Sequence, residues 1–452
     1  MIIIKCSSCL FNEKKYIFGI LFTERFNLAY QVNIDEECEG FCIQLHNGSK
    51  VYLSSIFWDN VTDGYLKKSS LPKVCYIEND FTPEKNIPLL YGDGLLEVDT
   101  SSIRCGIDVF AACFFMLSRM EEAIITVRDD VSRFPATAST AYKNNFLDRP
   151  VVDEYVDMLW NMLIYLDPSL SRYKLKPKTF VTCDLDWPFD PIRRSFKLTF
   201  LKSAADLIKR KKFMQSMSTW KKFLIHILGI PQLDTYRRAI DWIMEVNEEA
   251  GNNVAFYFIT HSTSRKDTSF DFNSSEMHSL LRSINDRGHE IGLHPGYNCF
   301  DNDSNFKVSV EKLRKAIRDV EIFQPEIGGR MHYLRWDVMQ TPQLWEKYNL
   351  NYDSTLSFAD KSGFRCGTSH EFTMFNLVTR KAMKLKQRPL VNMECTVIAS
   401  RYEGLGYSDE AIERFKHFKK QTKKYGGTYT LLWHNSHFSN EQDKSFYRQL
   451  IN

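Results

Sequence analysis

From residue 179 onward, short apolar runs alternate with helix-length amphipathic segments, and this rhythm limits the possible folds more than any single motif. The runs are TFVTCDLD, NVAFYFIT, HEIGLH, IGGRMHYLRW, LNYDSTLSF, LVNMECTVI and GTYTLLWH. Amphipathic segments at 234–250, 276–287, 307–323, 339–348 and 408–425 separate most of them. Strand–helix alternation implies parallel strands with crossover helices. Seven such strands fit a closed or nearly closed α/β barrel, with its chemistry at the C-terminal strand ends. A doubly wound open sheet would give the same rhythm.

The first 170 residues read differently. KKYIFGILF, FCIQLHNGSKVYLSSIFW and VCYIEND suggest short strands and turns, and the opening MIIIKCSSCLFNEKKYIFGILFTERF suits two strands joined by a turn. GIDVFAACFFMLSRMEE (106–122) has the character of a buried helix. Residues 151–166 form an amphipathic one, preceded by Pro150, with Val152, Tyr155, Val156, Leu159, Met162 and Leu163 on one face. DPSLSRYKLKPK (167–178) is a linker. At 452 residues two domains are expected: a smaller α+β N-terminal domain at 1–170 and a (β/α) barrel at 171–452.

Four constellations carry chemistry. Asp184 and Asp186 lie two apart on a strand and share a face, an arrangement that is costly unless a cation or a shared proton compensates. One can serve as metal ligand and the other as general base; the plain alternative is a solvated strand end. In RGHEIGLHPGYN (287–298), Glu290, Gly292 and His294 share one parity, which puts His294 at the mouth and leaves His289 as a structural residue. A second histidine four residues on is replaced by Asn298. In GGRMHYLRW, Arg330 and His332 share a strand face, so His332 can supply the missing nitrogen; two His and one carboxylate leave an open position on zinc or a related ion. His434 ends the last apolar run, with His437 three residues on, placed to protonate a leaving amine. Asp353, Arg365 and Tyr297 are expected to line a substrate cleft, together with Glu394 or with Glu394 bracing a ligand.

TCDLD, GHEIGLHPGY, GRMHYLRW and TLLWH, in this order, resemble the motifs of the polysaccharide deacetylase superfamily. The likeness extends to a bacterial branch with GLHPSY and RxHYLR motifs and an N-terminal domain, to which FFMLSRMEE, RFPATAS and FLDRPVVDEYV are similar. The resemblance implies a deformed (β/α)7 barrel that removes acetyl from an N-acetylated sugar with a divalent metal. By position it implies Asp184 as base, Asp186 and His294 as metal ligands, Arg330 as partner of the base and His434 as acid. His332 as third ligand comes from the residue pattern, with the Asn298 carbonyl and His261 as alternatives. A degenerate carbohydrate-binding barrel and a glycoside hydrolase using Asp184 or Asp186 with Glu394 are the rival readings.

Between the first two runs lies a basic insertion at 191–232. Residues 191–230 hold ten Lys/Arg and one acid, Asp206, interleaved with Phe, Leu, Trp and Ile. The segment reads either as a surface for an anionic membrane or as a solvated excursion covering the cleft. With 59 basic and 56 acidic residues, no global field calls for nucleic acid. Eleven scattered cysteines, including a lone CxxC at Cys6 and Cys9, read as reduced thiols. No signal peptide pattern and no apolar stretch of membrane-spanning length occur. The expectation is a cytoplasmic enzyme, peripheral at the inner membrane face, acting on a lipid- or nucleotide-linked N-acetylated saccharide in surface-polysaccharide assembly.

Overall fold

The computed structural model describes residues 1–61, 64–173, 175–190, 196–208, 213–227, 234–438 and 441–451, with side chains undescribed at 222, 225 and 226. Two compact units emerge. The first takes Met1–Lys178, Tyr333–Gly404 and Lys416–Thr430, and the second Thr179–His332, Leu405–Phe415 and Leu431–Asn452. Sequence alone assigned everything after 170 to the barrel, whereas 333–404 and 416–430 cluster with the N-terminal residues.

The N-terminal segment builds a six-stranded mixed sheet. Its strands are β1 (Ile2–Cys6), β2 (Tyr30–Ile34), β3 (Phe41–Gln44), β4 (Lys50–Leu53), β5 (Gly92–Val98) and β6 (Ser102–Ile107), in the order β2-β1-β3-β4-β6-β5. KKYIFGILF is not a strand. Helix α1 (Phe11–Phe18) runs into a π-helical turn, Gly19–Arg25. Ile17, Phe18, Leu21 and Phe22 are all fully buried, at helical spacing. An apolar run without alternation fits a buried helix as well as a buried strand, and here the helix wins. Helix α2 (Val109–Ser118) is buried throughout and is capped by Asp108, which accepts the Ala111 N–H at 3.0 Å. Helix α3 (Val151–Leu166) follows Pro150, with Asp153 and Glu154 in its first turn.

The second unit carries the alternation. Strand β7 (Lys178–Leu185) is followed by the insertion helices α4 (Phe196–Ile208) and α5 (Phe213–Ile227), then α6 (Thr235–Glu249) and β8 (Val254–Phe258). Next come α7 (Ser275–Asp286), β9 (Glu290–Leu293), α8 (Asp303–Asp319) and β10 (Gly328–Gly329). Asp234, Ser274 and Asn302 cap α6, α7 and α8 through their side chains. Strands β7, β8, β9 and β10 pair in parallel in that order. This is an α/β sheet; among the described residues no pairing closes it into a ring. Strand β10 is far shorter than the run IGGRMHYLRW suggests. Gly329 lies so close to β9 that a Cβ would meet the Leu293 oxygen at 1.8 Å. Beyond it His332–Leu334 form one helical turn, with Tyr333 at φ 62° and Leu334 at φ 55°.

In the returning part of the first unit, β11 (Tyr352–Asp353) pairs in parallel with β13 (Lys381–Gln387), which forms an antiparallel hairpin with β12 (Phe372–Asn376). This hairpin was not anticipated, because lysines obscure the alternate burial of Met383, Leu385 and Gln387. Strand β14 (Thr428–Leu432) ends the apolar runs.

Four charged side chains are buried together in the first unit. Arg365 grips both Glu122 oxygens at 2.9 and 2.6 Å, Arg119 Nε bonds Glu122 at 2.9 Å, and Arg119 also meets Glu121. Removing one member strands its partners without solvent. Arg365→Ala is therefore expected to lower the unfolding free energy by about 3–5 kcal/mol, read from the urea midpoint at unchanged slope.

Candidate metal centre

The site lies within the second unit and is built where the parallel ladder runs one or two residues past its strands. His294 N–H donates to Phe258 O at 2.8 Å, Arg330 N–H to Leu293 O at 3.0 Å and His332 N–H to Pro295 O at 3.2 Å. Each side chain is thereby fixed by a backbone bond to the neighbouring segment. Gly292 permits the packing inside: a Cβ there would meet the Tyr257 ring at 2.5 Å.

Asp186, just beyond β7, faces two imidazoles. Its Oδ1 lies 3.4 Å from His294 Nε2 and 3.5 Å from His332 Nε2. That oxygen is buried and has no hydrogen-bond partner of ordinary geometry. The other ring nitrogens are already engaged. His294 Nδ1 is 2.6 Å from the Arg330 carbonyl and His332 Nδ1 is 2.7 Å from Asp267 Oδ1, so both Nδ1 atoms carry protons and both Nε2 atoms present lone pairs. The potential ligand atoms of Asp186, His294 and His332 all lie within 4.8 Å of one another. Metal–ligand bonds of about 2.1 Å set tetrahedral ligand atoms about 3.4 Å apart. The donor set, its spacing and the orphaned carboxylate oxygen fit a divalent cation such as zinc.

Charge couples these groups closely. Burial raises the Asp186 carboxyl, but the imidazoles of His332, His294 and His434 outweigh it and hold it below the usual carboxylate range. Burial lowers the His294 imidazole, and the carboxylates of Asp184 and Asp186 outweigh it, leaving it raised. Two carboxylates and two imidazoles thus share a small volume, with Asp186 at its partly open side.

Around these three residues stand the other expected participants. Asp184 is buried, with Oδ1 accepting from Arg330 at 2.8 Å and Oδ2 at 3.7 Å from His294 Nε2. The Arg330 guanidinium also bonds Thr182 Oγ1 at 2.9 Å and lies 5.1 Å from the Tyr257 ring centre. His434, half-buried, has Nε2 3.9 Å from Asp186 Oδ2. Its ring is 5.5 Å from that of His437. Tyr297 lies in the loop after β9; its N–H donates to Asp267 Oδ1 at 2.7 Å and its hydroxyl accepts from Lys266 at 3.0 Å. His289 is structural, between the Val254 N–H at 3.1 Å and Glu248 at 3.0 Å.

Asn298 is exposed and sits outside the ligand group. Its amide donates to Thr263 O and its N–H to Thr263 Oγ1, both at 2.9 Å. His261 is not in the group either. The expected cleft residues Asp353 and Arg365 belong to the first unit and are engaged there. Asp353 accepts from the Thr355 N–H at 2.8 Å and from Trp336 Nε1 at 3.1 Å, and Arg365 holds Glu122 and the Ser357 carbonyl. Glu394 is buried in the same unit, directly after the two-residue strand Asn392–Met393, and its Oε1 lies 3.6 Å from Cys395 Sγ.

Sequence reasoning missed Asp267. Its Oδ2 accepts from the N–H groups of Thr263 (2.7 Å) and Ser264 (3.0 Å) and from the Thr263 hydroxyl (2.8 Å), while Oδ1 holds His332 and the Tyr297 N–H. Burial raises this carboxyl, but these donors, His332 foremost, bring it down to about 2. The only sequence trace was the Ser/Thr-rich turn THSTSRKD ahead of it.

Residues 2–168 match the model of a family of unknown function, DUF7033. No curated protein matches the chain. Among solved structures, a protein from Mycobacterium smegmatis assigned as a polysaccharide deacetylase is similar with a TM-score of 0.39 and 17% identity, over 62% of this chain and 84% of that one. The Puue allantoinase is similar with a TM-score of 0.32 and 14% identity, over 47% of this chain and 65% of that one.

Partners that fix a ligand histidine's ring and proton typically contribute about 10–100-fold to metal affinity. Asp267→Asn is therefore expected to weaken zinc binding by about that factor, measured by competition with a chromophoric chelator. Asn298→Ala should weaken zinc binding far less than Asp267→Asn, because its side chain lies outside the ligand group and braces the loop that carries Asp267.

Proposed function

We propose that this chain is a metal-dependent hydrolase that releases acetate from an N-acetylated sugar, in the assembly of surface polysaccharide. One observation carries the reading: the Asp186–His294–His332 group is flanked by Asp184, held by Arg330, and by His434. A ligand set with a base and an acid beside it is what amide hydrolysis requires. The motif resemblance supports the same chemistry, and zinc suits two imidazoles and one carboxylate. The substrate class is a saccharide on a lipid or nucleotide carrier, met on the cytoplasmic side.

A bound divalent ion would polarise the acetyl carbonyl and acidify a water molecule. Asp184 would take a proton from the attacking water through Oδ2, the oxygen not engaged by Arg330. Arg330 keeps Asp184 pointed at the site, and Thr182 fixes the guanidinium. His434 gives a proton to the sugar nitrogen as the C–N bond breaks and the new C–O bond completes acetate. His294 and His332 keep their Nε2 lone pairs directed inward because Arg330 O and Asp267 hold the opposite protons. Tyr297, in the loop after β9, remains the candidate sugar contact.

The test pairs metal content with acetate release from N-acetylglucosamine oligomers and from lipid-linked N-acetyl sugars. Asp184→Asn is expected to keep its zinc and lose about 10²–10⁴-fold in turnover. Asp186→Ala and His332→Ala are expected to lose the metal itself. Undiminished turnover in Asp184→Asn would sink the mechanism. Metal and sugar binding without acetate release from any of these substrates would favour the carbohydrate-binding reading.

A further inference from the structure

The insertion after β7 is built inside out. Helices α4 and α5 pack against each other, yet what they bury is polar: Thr199, Ser203 and Asp206 on one, Ser216 and Thr219 on the other. The Ser203 and Ser216 hydroxyls bond each other, and Trp220 Nε1 donates to Ser203 Oγ at 2.9 Å. Apart from a contact of Phe196 with Trp220 and Phe223 between the helices, most of the large apolar side chains described face outward. Twelve of the 28 exposed large apolar residues among those described lie on these two helices, with Ile208 at 77%, Met214 at 76%, and Phe213 and Ile227 at 63% exposed.

A helix pair in water buries its apolar stripe and exposes its polar one. The reverse, with hydroxyl residues in the helix contact and large apolar residues outside, belongs to helices whose surroundings are lipid. Helices of 13 and 15 residues reach about 20–23 Å, too short for a bilayer core of about 30 Å. No helix among the described residues is long and apolar enough to cross a membrane. The pair therefore suits the interface, parallel to the surface.

Charge narrows the occupant. Asp206 is the only acid in 191–230, and it is buried. Lys197, Lys202 and Lys221 lie on the two helices. Six of the ten basic residues, at 193, 194 and 209–212, lie outside the described residues and enter only as sequence. A second copy would bring together two segments that each carry, by sequence, ten bases and one acid, which opposes self-association. Anionic headgroups supply the missing countercharge. We infer that the α4–α5 hairpin docks this protein on an anionic lipid surface, its apolar face entering the headgroup–acyl boundary.

The experiment is flotation of the full chain with vesicles of phosphatidylcholine alone or mixed with phosphatidylglycerol, at low and high salt. The comparison variant is Ile208→Glu with Met214→Glu, at two positions open enough to accept charge, checked for wild-type circular dichroism and metal content. Flotation is expected only with the phosphatidylglycerol vesicles, weakened by salt and reduced about tenfold or more in the double variant. Absence of flotation by the wild type, or equal flotation by the double variant, would overturn the inference. So would a wild-type dimer in sedimentation velocity that the double variant dissolves, without vesicle binding, since the face would then belong to a second copy. None of these readouts depends on acetate release.

Discussion

Arg330 ties together three things that the candidate centre needs at once. Its N–H extends the parallel ladder to Leu293. Its carbonyl accepts the Nδ1 proton of His294, and its guanidinium holds Asp184. The residue is fully buried, so these bonds are made away from water, where geometry is enforced more strongly than at a surface. Gly329 precedes it because β9 leaves no room for a side chain there. The end of the parallel ladder, the tautomer of a ligand and the orientation of the base thus depend on one short stretch.

The second histidine is held by different means. His332 lies past the end of its strand, in a single turn with left-handed residues on its far side. Its orientation comes from Asp267, in a loop that Asn298 and Thr263 stitch together. Asn298, standing where a ligand histidine would be expected, is a strut of the loop that aims the replacement. The two histidines reach the same carboxylate oxygen along separate routes, one through the ladder and one through a loop.

The two units use charge differently. In the first, Arg119, Glu121, Glu122 and Arg365 satisfy one another inside the core, an arrangement that rewards a single packing. In the second, Asp186 is left with an oxygen that the protein does not satisfy. A buried carboxylate oxygen is costly without compensation, and two imidazole Nε2 atoms converge on this one, which marks the arrangement as a place for a cation. The insertion hairpin repeats the theme at the surface: its apolar face is left uncovered while its hydroxyls are paired.

Sequence by itself determined the strand–helix alternation after 178, the helix at 151–166 and the identities of Asp184, Asp186, His294, Arg330, His332 and His434. Residue type and order are written in the chain, and periodicity reports which faces are apolar. Only the tertiary structure decided that residues 11–25 form a helix, that 333–404 cluster with the N-terminal segment, and that Arg365 and Asp353 are engaged internally. It also brought in Asp267, 65 residues before the His332 it holds, a pairing that no local pattern encodes. The basic insertion shows the limit most clearly: its composition announced an amphipathic surface, but packing chose to bury the hydroxyls and leave the apolar residues outside. Periodicity shows that a face exists; what that face meets is set by contacts between residues far apart in sequence.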